Sequence, residues 1–153
     1  MAFGDYVRTV ASEQGLTPDR AVLQDLGADL IRTLGPERFI DAAMASAGVS
    51  VDFPRVLFDG VRHMSVLNEV RGRYRTLFVF VEVSESERSQ QWVERARSGD
   101  AQALQLASSH EVEREVAQLR DQADVIAASV LDDPTPMLAS ARAFLGESDD
   151  DAS

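Results

Sequence analysis

The stretch RVLFDGVRHMSVLNEVRGRYRTLFVFVEV, from Arg55 to Val83, constrains the fold more than any other part of the chain. Val56, Leu57 and Phe58 form a short apolar run that stops at Asp59-Gly60. Met64 to Arg73 has helical spacing, with Met64, Leu67 and Val70 (or Tyr74) on one side. Thr76 to Val83 is almost continuously β-branched and aromatic. Apolar runs without alternation suit strands covered on both faces, as in parallel sheets. Parallel strands need a crossover, and a helix of about ten residues with its turns provides one. The stretch therefore reads as strand, helix, strand, with an acid at the end of the first strand, where open α/β sheets bind ligands.

Composition narrows the class. A chain of 153 residues fits one domain with a self-sufficient core. The absence of cysteine excludes disulfides, thiolate metal sites and cysteine nucleophiles. The longest apolar run, Leu77 to Val81, is too short to span a membrane, and MAFGDYVR lacks the build of a signal peptide, so a cytoplasmic protein without membrane association is expected. A net charge of −11 argues against nucleic acid as a partner. All 15 basic residues are arginine. A Schiff-base lysine and a phosphate-loop lysine are thus both missing from this sequence. Arginine is well suited to bidentate contact with phosphate or carboxylate, although a codon bias accounts for the skew equally well.

The first 48 residues read as three helices with no strand. Gly4 to Gln14 carries Tyr6, Val7, Val10 and Ala11 on one face and meets Gly15. Thr17-Pro18-Asp19 reads as a cap and first turn, followed by Val22, Leu23, Leu26, Leu30, Ile31 and Leu34. After Gly35-Pro36, Phe39, Ile40, Ala43 and Met44 mark a third helix ending at Gly48. Beyond the central stretch, Ser84-Glu85-Ser86-Glu87 reads as a capping box opening a helix to about Arg97. Ala101 to Ser108 is ambiguous. A helix from about Ser108 should bury Val112, Val116 and Leu119, Asp124 to Val130 should form a last strand, and Asp133-Pro134 should cap a last helix ending at Gly146. Glu147 to Ser153 reads as an acidic disordered tail. The expected fold is α/β, with a small parallel sheet covered by helices in a single domain over residues 1–146.

Three groups of residues could carry chemistry. Asp59 could hold Mg²⁺ through water or accept a hydroxyl proton, with Gly60 beside it and Arg62 placed to clamp a phosphate; alternatively Asp59 is a loop residue capping the next helix. Arg88, Arg95 and Arg97 could neutralise migrating charge from a mobile helix, or pair with Glu85, Glu87 and Glu94 on a solvated face. Gly4, Asp5 and Arg8 could line a ligand, or form an ordinary helix start with Asp5 at the positive end of the dipole. His63 and His110 lack metal-ligand spacing and read as helix-start residues, and Trp92 and the phenylalanines read as packing residues.

Taken in order, FGDYVR, TPDRAVLQDLGADL, LGPERF, VLFDGVRHMSVLNEVR and LFVFVEVSESER resemble the P-loop nucleotide kinases. The likeness is to the dephospho-CoA-kinase-like and adenylate-kinase-like branch often described as AAA-family ATPases, and it covers roughly Phe3 to Leu145. It implies an incomplete P-loop NTPase fold, with residues 1–48 forming a helical acceptor-binding part and residues 55–146 supplying sheet, lid and C-terminal helix. It implies that Gly4, Asp5 and Arg8 line the acceptor-nucleotide site, with Arg8 on its phosphate. Asp59 would lie near Mg²⁺ and the transferred phosphoryl group, and Gly60 and Arg62 near the acceptor. Arg88, Arg95 and Arg97 would belong to the lid, and Val125 to Ser129 would approach the adenine of ATP.

Two departures qualify this. The family opens with a strand and GxxxxGK[ST], which the sequence does not contain, and Ala127-Ala128-Ser129 stands where an asparagine is usual. Two functions follow. One is phosphoryl transfer from ATP, with Mg²⁺, to a nucleoside monophosphate or similar small acceptor, by a chain whose first strand and P-loop precede the sequence given. The other is a degenerate, non-catalytic kinase fold that binds a ligand or partner. An open sheet edge also leaves room for a homodimer.

Overall fold

The computed structural model describes residues 1–50, 52–83, 110–128 and 135–146. These form α1 (Phe3–Glu13), α2 (Arg20–Ser46), α3 (Met64–Arg73), β1 (Val79–Glu82), α4 (His110–Asp121), β2 (Val125–Ala128) and α5 (Thr135–Leu145). The expected helix after Ser84, the segment Ala101–Ser108, Trp92 and the acidic tail lie outside the described residues.

α1 and α2 end in the same way. Leu16 N–H donates to Ala11 and Gly15 N–H to Ser12, while Val49 N–H donates to Met44 and Gly48 N–H to Ala45. Both are Schellman endings, which satisfy the last carbonyls of a helix. The two helices expected between Thr17 and Gly48 form one element, α2, whose break survives as a kink. Gly35 has φ 79° and ψ 157°, a backbone shape open to glycine, and Pro36 cannot donate to the preceding turn. The start also moves. Helical structure begins at Arg20 after an extended Asp19, so Thr17 is not the cap.

The main core forms where α1, the second half of α2, and α3 meet. Phe3, Val7, Phe39, Ile40, Ala43, Met44, Val66 and Val70 are buried together, with Val56, Phe58, Val61 and Tyr74 packed against them. Phe3 stacks on Phe39 and on Phe58, with ring centroids 5.4 and 5.8 Å apart. Each fully buried side chain of this size contributes about 1.5–3 kcal/mol. Arg73, at the end of α3, ties this core to the surface of α2 by bonds to Asp41 (2.6 Å) and to Glu69 on its own helix (2.8 Å). Desolvation opposes the Arg73 charge, but these bonds outweigh it and raise its pKa above the ordinary guanidinium range.

Three strands were expected, and the described sheet has two, β1 and β2, which are parallel with Val79 opposite Val125 and Glu82 opposite Ala128. Among the described residues Val56–Phe58 joins no ladder, and beside it stands a single parallel bridge between Ala2 and Asp59. Expected burial of Val116 also fails. It is exposed while Leu119 is buried, and the side chain of Val112 lies outside the described residues.

α3 and α4 lie side by side and run in the same direction. His63, at the start of α3, meets Glu115, and Arg71, near its end, meets Gln122 and Asp124. Each helix leads into one strand of the sheet, as in successive α-β units. Asp124 sets the register between them. Its carboxylate accepts from Phe78 N–H at 2.7 Å and Arg71 at 3.1 Å, while its own N–H donates to Phe78 at 2.9 Å. Arg120 of α4 adds a bond to Glu82 of β1, which raises the Arg120 pKa. Among the described residues no helix is long and apolar enough to cross a membrane.

Candidate functional site

The first residues of the chain and the Asp59 turn are far apart in sequence and joined by backbone. Asp59 N–H donates to the Met1 carbonyl at 2.9 Å, and Phe3 N–H donates to the Asp59 carbonyl at 3.1 Å. The Met1 ammonium donates to the Leu57 carbonyl at 2.6 Å. Below these bonds the Phe3–Phe58 stack anchors both segments to the core. The start of α1 and the loop leading to α3 therefore form one corner. It collects Gly4, Asp5, Asp59 and Gly60 at its centre, with Arg8 and Arg62 one short step along their segments.

Local conformation follows from the residues. Ala2 is extended and offers no side-chain cap to α1. Asp5, in the first turn, is favourably placed at the positive end of the helix. Gly60 has φ 78°, a left-handed shape that redirects the chain after Asp59, and the space around it is open. His63 is extended and its carbonyl starts α3 by accepting from Val66 and Leu67. Asp59 is thus not the cap of α3, and that alternative is removed.

The charges differ in how far they are committed. Arg8 bonds Asp5 at 2.6 Å and folds back over Gly4, where an added Cβ would lie 3.6 Å from its Nη1. A ligand phosphate at Arg8 has to compete with that carboxylate. Both side chains remain largely solvent-exposed, so the pair is a weak one. Asp59 and Arg62 are exposed and make no ion pair among the described residues. The corner thus holds two carboxylates and two guanidiniums within a chain of net charge −11. It is locally balanced, and an anion meets less repulsion there than over the chain as a whole.

Mg²⁺ keeps several waters and is commonly held by one or two carboxylates together with substrate phosphates. Asp59, open and unpaired, fits that demand. Among the described residues no three metal-binding side chains gather, so any further donors would come from the ligand and water. Arg88, Arg95 and Arg97 lie outside the described residues, as does Ser129. Val125 to Ala128 form β2, which pairs with β1.

Sequence reasoning overlooked two contacts. One is the pairing of Met1 to Phe3 with Leu57 to Asp59; the signal was an apolar Met1-Ala2-Phe3 at the helix start. The other is the His63–Glu115 pair, with Nδ1 and Oε2 2.9 Å apart. No local pattern announces it, because its partners are 52 positions apart and belong to different helices. Comparison with protein-family models, curated proteins and solved structures finds no match for this chain.

Proposed function

We propose that the corner between α1 and the Asp59 turn is the acceptor side of a nucleotide-kinase-like site, receiving the phosphate of a nucleoside monophosphate or similar small acceptor. The observation that carries this reading is the backbone pairing of Asp59 with Met1 and Phe3, which unites Gly4-Asp5-Arg8 with Asp59-Gly60-Arg62. In this reading Arg62 supplies the first contact, since its guanidinium is uncommitted among the described residues. Arg8 joins by exchanging Asp5 for phosphate, which a guanidinium can hold with two parallel bonds. Gly60 keeps the approach open, and Asp59 orients the acceptor hydroxyl or holds hydrated Mg²⁺.

Mg²⁺, when bound with ATP, would offset the charge of the transferred phosphoryl group. The residues of this chain hold the acceptor and place a carboxylate beside it. No lysine is available to grip the β- and γ-phosphates. That favours a second reading, in which this chain binds the acceptor-type ligand without transferring phosphate.

Calorimetric titration with a panel of nucleoside monophosphates, followed by addition of Mg·ATP, tests both. Saturable binding that falls about tenfold or more in Arg62→Ala is expected, from the loss of a charge-assisted bond. Arg8→Ala should lose less, because freeing Asp5 partly offsets the lost contact. Equal binding by wild type and both variants would overturn the site. A product of phosphoryl transfer would discard the binding-only reading, and its absence would discard transfer by this chain alone.

A further inference from the structure

The segment Arg55–Asp59 has two edges, and only one is used among the described residues. The Leu57 carbonyl and both backbone groups of Asp59 bond Met1–Phe3. The N–H and C=O of Val56 and Phe58 form no hydrogen bond among the described residues. Alternate residues of a strand offer these groups to opposite sides, so Val56 and Phe58 turn theirs away from Met1–Phe3. Side chains alternate in step: Arg55, Leu57 and Asp59 are exposed, while Val56 and Phe58 pack on the core. Leu57 is 79% exposed, more than any other described large apolar side chain. Pro54, which has no N–H, and Gly60, at φ 78°, bound the open edge. Such a row of unpaired backbone groups is a template for another strand.

We propose that this edge pairs with the same edge of a second copy of the chain, antiparallel about a two-fold axis through Leu57. The stretch Arg55-Val56-Leu57-Phe58-Asp59 is complementary to its own reverse. Centred on Leu57, Val56 lies opposite Phe58 of the second copy and Arg55 opposite its Asp59, and each contact occurs twice. Val56 and Phe58 then exchange N–H and C=O bonds across the axis, which satisfies every group left open on this edge. Leu57 meets its own copy as a non-hydrogen-bonded pair, with Cα atoms about 4.5 Å apart. That contact covers the exposed leucine. Centring on Val56 or Phe58 instead would set Leu57 against Arg55 or Asp59, so the apolar and charged residues select one register. Arg55 has a contact of its own and both end residues are exposed, so the end pairs guide the register while backbone bonds and Leu57 hold the copies together. Those backbone bonds and Leu57 take no part in the proposed acceptor contacts, and the pairing stands or falls apart from that reading. An edge this short gives a weak, concentration-dependent dimer.

Sedimentation velocity of the whole protein over a range of concentrations tests this, with the average mass rising towards twice that of one chain. Leu57→Lys sets like charges face to face and removes the apolar contact, and should weaken association about tenfold or more. The fold should tolerate it, because Leu57 is exposed. The chain has no cysteine, so a single introduced cysteine can form disulfides only between copies. Under mild oxidation Leu57→Cys should crosslink about tenfold or more faster than Leu138→Cys, an equally accessible type of site on α5, because the paired Cα spacing suits a disulfide. Arg55→Cys should crosslink to a size-tagged Asp59→Cys faster than either does to itself. The mass of one chain at every concentration would overturn the pairing. So would undiminished association of Leu57→Lys, equal crosslinking at Leu57 and Leu138, or no preference in the mixed reaction.

Discussion

The core around Phe39 and the sheet of β1 and β2 are held by different forces. Around Phe39 three helical segments and an extended one converge, and Ile40 and Ala43 are wholly inaccessible to solvent. In the sheet, Val81 and Ile126 remain 44 and 46% exposed, and only Ala127 among the described β2 side chains is buried. What fixes the sheet is polar: Asp124 on Phe78 and Arg71, and Arg120 on Glu82. The difference assigns separate tasks. Burial together with the backbone bonds of Asp59 to Met1 and Phe3 holds the corner of Gly4 and Asp59 in shape, while side-chain hydrogen bonds fasten β1 against β2. Among the described residues, the largest buried cluster lies beside the candidate site.

Substitutions should separate the two. Phe39→Ala should have the largest effect, about 3–5 kcal/mol in urea unfolding, because it removes the ring between Phe3 and Tyr6. A loss below about 1 kcal/mol would mean that this core is loosely packed. Asp124→Ala should cost about 1–3 kcal/mol by stranding Phe78 N–H and Arg71, with faster amide exchange concentrated in β1 and β2. Uniform acceleration across the chain would instead make core and sheet one cooperative unit. Gly60→Ala should cost about 1 kcal/mol from backbone strain alone, since its surroundings are open. Ile126→Thr should change stability by less than about 0.5 kcal/mol, as at an exposed site. A cost as large as that of Phe39→Ala would show this face of the sheet to be covered.

Helical spacing was the most readable part of the sequence. Phe39, Ile40, Ala43 and Met44 are all buried, and α3 spans the expected Met64 to Arg73. Gly15 and Gly48 marked helix ends because their shape is dictated within a few residues. The strands were less readable. Val56–Phe58 has the composition of a ladder strand, yet pairing depends on a partner, and among the described residues only Met1–Phe3 lies alongside it. Val116 failed for the same reason: periodicity shows that a helix has a face, not how wide a stripe its neighbour covers.

The two candidate segments, Gly4–Arg8 and Asp59–Arg62, stood out in the sequence one at a time. Their meeting was not, since it depends on backbone bonds across more than fifty residues. Nor was the hold of Asp5 on Arg8 foreseen, although the two are only three positions apart. Helical spacing permits that bond, but each residue had been considered only as a candidate ligand contact.

The central proposal is that the corner of Gly4 and Asp59 receives a phosphate-bearing acceptor. Its most direct test is a titration of the ¹⁵N-labelled protein with a nucleoside monophosphate, followed through the amide spectrum. The expected result is saturable shifts at Gly4, Asp5, Gly60 and Arg62, removed together by Arg62→Ala while the signals of α2 stay in place. Shifts confined to β1 and β2, or none at saturating ligand, would contradict it.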